Sequence, residues 1–126
     1  MGLEVISNDQ TAASPITVPS GETNLKTVDI KANSYKLVLV RAVIKIASTG
    51  TSAAQNVTFK VKAGVTTGNS RSFVYVSKAI VSTEFITLET MARCNEKDAC
   101  RVTIQGAGAD ANTTVTCESM VVLGLY

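Results

Sequence analysis

The sequence predicts an all-β chain, folded as a single antiparallel β-sandwich of about eight strands. Three observations predict it. Apolar and polar residues alternate at period two through most apolar segments, as strand side chains do when one face is buried. Those segments are rich in Val, Ile, Thr and Phe, which suit a pleated, half-buried surface. Clusters of Gly, Ser, Asn, Asp and Pro separate them at intervals of roughly 8–12 residues, and no stretch carries a convincing helical period.

Residues 3–7 form a first short strand, followed by a polar loop through Ser14. In PITVPSGETN, Pro15 and Pro19 oppose a central strand and predict an extended edge or a turn. Residues 25–31, LKTVDIK, place Val28 and Ile30 on one face. The organising element is YKLVLVRAVIKIAS, residues 35–48. One of its faces is Val38, Val40, Ala42, Ile44 and Ile46, unbroken apolar, so it lines a core. The other is Tyr35, Leu37, Leu39, Arg41, Val43 and Lys45, apolar at its start. Leu37, Leu39 and Val43 do not belong in plain solvent. They sit under another layer of the same sandwich, the simpler arrangement, or against a partner.

Residues 56–62, NVTFKVK, give the cleanest alternation, with Val57, Phe59 and Val61 facing in. Residues 71–81 form one bent strand or a strand and a turn. Residues 84–91 turn Ile86 and Leu88 inward, and residues 100–105 alternate Cys100, Val102 and Ile104. The last strand, residues 113–126, ends on an apolar run; in it Cys117 alternates with Val115, Ser119 and Val121 and reads as a small core residue.

The 126 residues suit one domain, 1–126, whose residues 1–20 can also be read as an extended N-terminal arm. There is no internal repeat. Charged residues are 17 %, aromatics 5 %, and Trp and His are absent; polarity is carried by Ser, Thr, Asn and Gly. A net charge of +2, with the basic residues scattered, argues against nucleic acid or an anionic membrane as partner. The opening MGLEVISNDQ lacks the basic and apolar regions of a secretory leader, and Ile6 stands where myristoylation needs Ser or Thr. No segment reaches the length of a membrane span, so a soluble protein is expected.

Lack of His removes the usual general base, the nucleophile triads and most catalytic zinc sites. The ten carboxylates lie in no aromatic-rich setting that would bind sugar rings, and read as solvated surface groups. Glu96 and Asp98 share a loop but lack the further ligands of a calcium site. The run from Gly106 to Ala111 formally matches a dinucleotide-binding pattern, but a strand rather than a helix is expected after it. Asn56 and Asn112 open glycosylation sequons, meaningful only in a glycosylating compartment. No catalytic residue, cofactor or metal site is predicted. Cys94 and Cys100 flank NEKDA; the pair reads equally as a disulfide closing a turn or as two free thiols.

Two stretches carry a family resemblance. TVPSGETNLKTVDIKANSYKLVLVRAVIKIAS resembles the opening of small jelly-roll domains, where a Pro-Ser-Gly turn precedes a long inner strand. TTVTCESMVVLGLY is similar to the last strand of jelly-roll modules in phage and virus surface proteins, and loosely to tumour-necrosis-factor and C1q-like folds. Together they cover about a third of the chain. The resemblance implies an eight-stranded jelly roll, commonly trimeric, acting as a capsid, decoration or receptor-binding module; it carries over no functional residues. The scarcity of aromatics departs from the factor-like and C1q-like domains and favours the viral version.

The expected function is therefore a non-enzymatic virion structural protein that self-associates and joins other capsid subunits. Leu37, Leu39, Val43, Met120 and Val122 are its candidate interface residues. The alternative is a secreted carbohydrate- or receptor-binding module, extracellular and carrying a Cys94–Cys100 bridge.

Overall fold

The computed structural model describes residues 2–18, 20–31, 34–48, 56–63, 69–76, 82–93, 100–107 and 110–126. Their regular structure is entirely strand: β1 (Leu3–Asp9), β2 (Ile16–Val18), β3 (Thr23–Ile30), β4 (Leu37–Ser48), β5 (Asn56–Ala63), β6 (Asn69–Val76), β7 (Ser82–Arg93), β8 (Cys100–Ala107) and β9 (Asp110–Leu125). One sheet runs β1-β9-β4-β7 with β2 also paired to β9, and the other runs β3-β8-β5-β6. Every pairing is antiparallel. The pairs nest like a long hairpin folded over: β1 and β2 with β9, β3 with β8, β4 with β7, β5 with β6. The β4–β9 and β5–β8 ladders then join these pairs into two sheets.

The all-β sandwich expected from the alternation is what the chain forms. Its additional element is β2, three residues between Pro15 and Pro19 that pair only with β9. Pro15, which has no N–H to give a ladder, stands just before the segment and suits a short edge ladder. Residues 77–81, the second half of the strand expected over 71–81, lie outside the described residues. A strand follows Gly106 and Ala107, β9 beginning at Asp110, so the Gly-rich run meets no helix N-terminus.

β4 is twelve residues long and lies between β9 and β7. Its inward face, Val38, Val40, Ala42, Ile44 and Ile46, is at most 2 % exposed. Across the gap stand Val57, Phe59 and Val61 of β5, all fully buried, together with Ile30 of β3. Val18 of β2, Val115, Cys117, Met120 and Val122 of β9, and Leu88 of β7 complete this core among the described residues, as one cluster between the two sheets. Burial of each Val or Ile here contributes roughly 1.5–3 kcal/mol relative to exposure.

Period two fails once inside β9. Val43 pairs with Ser119, but Ile44 pairs with Cys117, so Glu118 is an extra residue on β9. A bulge of this kind inverts the facing of everything beyond it. Val115 and Cys117 point into the core before the bulge; Met120 and Val122 point there after it. β1 follows suit. Val5 pairs with Leu123 and Ser7 with Val122, leaving Ile6 as the extra residue, packed against the core.

Tyr35 departs from simple alternation as well. It precedes β4 and packs against the core rather than continuing the outward row. Its ring lies over Gly124, where an added Cβ would come within 2.3 Å of the ring. It also meets Tyr126 edge-on, with ring centroids 6.5 Å apart. Burial, then a hydrogen bond donated to Glu4, raises the Tyr35 hydroxyl pKa above its ordinary value. Gly124→Ala should therefore destabilise the fold by about 1–3 kcal/mol, because the ring must move out of its seat. Tyr35→Ala in the same background should remove most of that penalty, a non-additivity readable by urea unfolding.

A charged clamp joins the two sheets. Lys26 of β3, its side chain 10 % exposed, forms an ion pair of 2.8 Å with Asp9 at the end of β1. The Lys26 ammonium also donates to the Thr11 carbonyl, and Asp9 Oδ1 accepts the Thr11 N–H at 2.9 Å. The Lys26 hydrogen bond first, and the Thr11 N–H second, hold the Asp9 pKa below its ordinary 3.8. A carboxylate with a lowered folded pKa stabilises the fold above its unfolded pKa, and that contribution disappears as pH falls through the folded value. Wild type should thus exceed Asp9→Asn in melting temperature at pH 7, and the gap should close as the pH is taken below 3.8.

Candidate functional site

The outward face of the larger sheet is where the structure concentrates unusual chemistry. The ladders place Leu3, Leu125, Leu37 and Arg93 in one row across β1, β9, β4 and β7. The next row is Val5, Leu123, Leu39 and Met91, apolar over all four strands. The third is Asn8, Val121, Arg41 and Glu89. Below it Ser119, Val43 and Thr87 align, then Lys45 beside Phe85.

Exposure confirms which way these side chains point. Leu3 is 61 % exposed, Val5 59 %, Met91 57 % and Phe85 62 %. Leu37, Leu39, Val43, Val121, Leu123 and Leu125 are half-buried. Among the described residues no further layer covers this face, so the arrangement with β4 buried on both sides does not occur. Leu39, Arg41, Glu89, Met91, Val121 and Leu123 outline an open groove of about 510 Å³. Arg41 Nε reaches Glu89 Oε1 at 3.2 Å across the β4–β7 ladder. Both side chains are 65 % exposed, so the pair contributes only about 0.2–1 kcal/mol.

Of the interface residues expected from sequence, Leu37, Leu39 and Val43 lie on this face. Met120 and Val122 do not. Both are fully buried in the core, because the Glu118 bulge reverses their facing, and they present nothing to a partner. The same reversal sends Val121 and Leu123 outward in their place. Leu3, Val5, Met91 and Phe85 were not identified from sequence. The signal was present: in LEVIS and EFITLETM the residues opposite the inward set include large apolar side chains. Only pairing with β9 and β4 shows that they form one surface.

Chemistry of other kinds is sparse. Cys117 is buried as expected, and burial pushes its thiol pKa up to about 11, so it is a poor nucleophile at neutral pH. The Cys94–Cys100 pair lies outside the described residues, apart from the backbone of Cys100 opposite Ile30. Among the described residues no group of three or more His, Cys, Asp or Glu is arranged to hold a metal ion. No helix among them is long and apolar enough to cross a membrane.

Fold and site together define an antiparallel β-sandwich that carries an apolar sheet face. No protein-family model matches the sequence, and no curated protein matches it. Among solved structures, the chain is similar to the one described as "Crystal structure of infectious bursal disease virus VP2 subviral particle". The TM-score is 0.46 at 10 % identity, over 99 % of this chain and 32 % of that one. The chain thus spans about a third of the length of that protein.

Proposed function

We propose that this chain is a non-enzymatic structural module of a virion, a capsid or decoration subunit that self-associates through the outward face of its larger sheet. The observation that carries the reading is the row Val5, Leu123, Leu39 and Met91, apolar across four neighbouring strands. The largest contiguous apolar patch on a protein surface is often its interaction site. The nested strand pairing supports a jelly roll, with β1 and β2 acting as one interrupted first strand. Low charge, the Thr/Ser/Asn surface and the lack of His agree with a structural role. Assembly in a host cytoplasm follows from the same reading. Among the described residues the lining of the groove includes no aromatic side chain, which weighs against a carbohydrate-binding module.

The test is solution mass by light scattering across a range of protein concentrations, with electron microscopy of the concentrated sample. A stable oligomer of the 13.2 kDa chain, condensing into closed shells or ordered arrays, is the expected result. A strict monomer at every concentration overturns self-association.

A further inference from the structure

The layout of the apolar face specifies its partner more narrowly than "another subunit". The geometry points to a second copy of this chain, docked face to face about a two-fold axis that lies in the interface, parallel to the strands, between β4 and β9. This rests on the self-association reading above and fixes its geometry.

Rotation about that axis keeps each residue at its own level along the strands. It exchanges β9 with β4 and β1 with β7, the four strands being ordered β1-β9-β4-β7. At the second level Leu123 then faces the partner copy's equivalent of Leu39, and Val5 that of Met91. At the first level Leu125 meets the position of Leu37, and Leu3 the aliphatic stem at position 93. At the third, Val121 meets the stem at position 41 and the amide of Asn8 meets the carboxylate position 89. Apolar residues face apolar residues or aliphatic stems at every level. No like charges are opposed, and the one acid of these three levels meets a hydrogen-bond donor. Arg41 and Glu89 already neutralise each other within one copy, so two such faces do not repel.

Self-complementarity of this kind is what an isologous contact requires. The three-fold closure implied by the jelly-roll resemblance would instead pair two different patches. Size agrees too. Four strands at about 4.8 Å and three levels at about 6.8 Å span on the order of 400 Å² per copy in flat projection. Side-chain relief raises that toward the roughly 1,000 Å² total of a specific interface. Two twisted sheets stacked with their strands aligned, about 10 Å apart, is an ordinary way for sheets to pack.

The experiment uses Val5→Asp and Met91→Lys, both at positions more than half exposed in the monomer, so neither threatens folding. Within one chain β9 and β4 separate the two positions, about 14 Å across three strand spacings, too far for an internal ion pair. At dilute concentration, before any condensation into larger assemblies, light scattering should find wild type at twice 13.2 kDa and each single variant weakened at least about tenfold in dimer affinity. Mixing the two variants should restore a dimer of wild-type affinity to within about tenfold. In the mixed dimer the introduced carboxylate at position 5 of one copy faces the introduced ammonium at position 91 of the other. Single variants that remain as tightly dimeric as wild type, or a mixture that remains monomeric, overturn the two-fold arrangement while leaving self-association standing. A wild-type trimer does the same. A wild-type monomer removes both readings and assigns the face to a different protein.

Discussion

Leu39→Asp should leave a folded monomer and reduce self-association by roughly a hundredfold or more. Leu39 is at the centre of the apolar row, between Leu123 and Met91. Burying a Leu between copies contributes roughly 1.5–3 kcal/mol at full burial, and burying an unpaired carboxylate in its place costs more. A loss of about 3 kcal/mol is already more than two decades in dissociation constant. In the isolated chain Leu39 is partly buried but lines an open groove, so a carboxylate there reaches water and the monomer stays folded. Light scattering reads the first effect and circular dichroism the second. If the variant instead unfolds, the face belongs to the interior of the monomer.

Phe59→Ala should be the most damaging simple truncation among the described residues. Among the described residues Phe59 heads the largest fully buried side chains, and it sits in β5 between Gly106 of β8 and Phe73 of β6. Deleting a ring this size from between two packed sheets leaves a cavity that the surrounding backbone closes only in part. Such a truncation costs about 3–5 kcal/mol, a large share of the roughly 5–15 kcal/mol that holds a domain together. The melting temperature should fall by roughly 10–25 °C. Phe85→Ala is the internal control. Phe85 is 62 % exposed on the outward face, so its loss should change monomer stability by less than about 0.5 kcal/mol. Equal losses for the two variants would mean that the inward and outward faces have been misassigned.

Much of the architecture was legible because strand side chains alternate. The run from Val38 to Ile46 and the triplet Val57, Phe59 and Val61 announce inward faces from residue type alone, and all of those inward residues are buried. Ile86 and Leu88 follow the same rule, one packed against the core and the other in it. The excess of apolar residues on the second face of β4 likewise signalled an unsatisfied surface. Leu37, Leu39 and Val43 were recognisable for that reason.

Two features defeat alternation. A bulge leaves no mark in a stretch such as TCESMVV, where Glu118 looks like any polar strand residue. Its effect depends on which residue of β4 stands opposite, so the facing of Met120 and Val122 could not be read from β9 alone. Tyr35 turned inward because Gly124, 89 positions later in the chain, leaves an opening the width of a ring.

The sequence by itself determined the all-β class, the inward faces of most strands and the presence of one apolar face too many. Those are properties of neighbouring residues, set by the period-two geometry of an extended backbone. Tertiary structure alone decided which strands lie side by side. That choice set Leu3 and Val5 of β1, Met91 of β7 and Leu123 of β9 beside Leu39 as one surface, and it joined Lys26 to Asp9 across the two sheets. Such juxtapositions arise from pairing between distant segments, where hydrogen-bond register, not local residue preference, selects the neighbour.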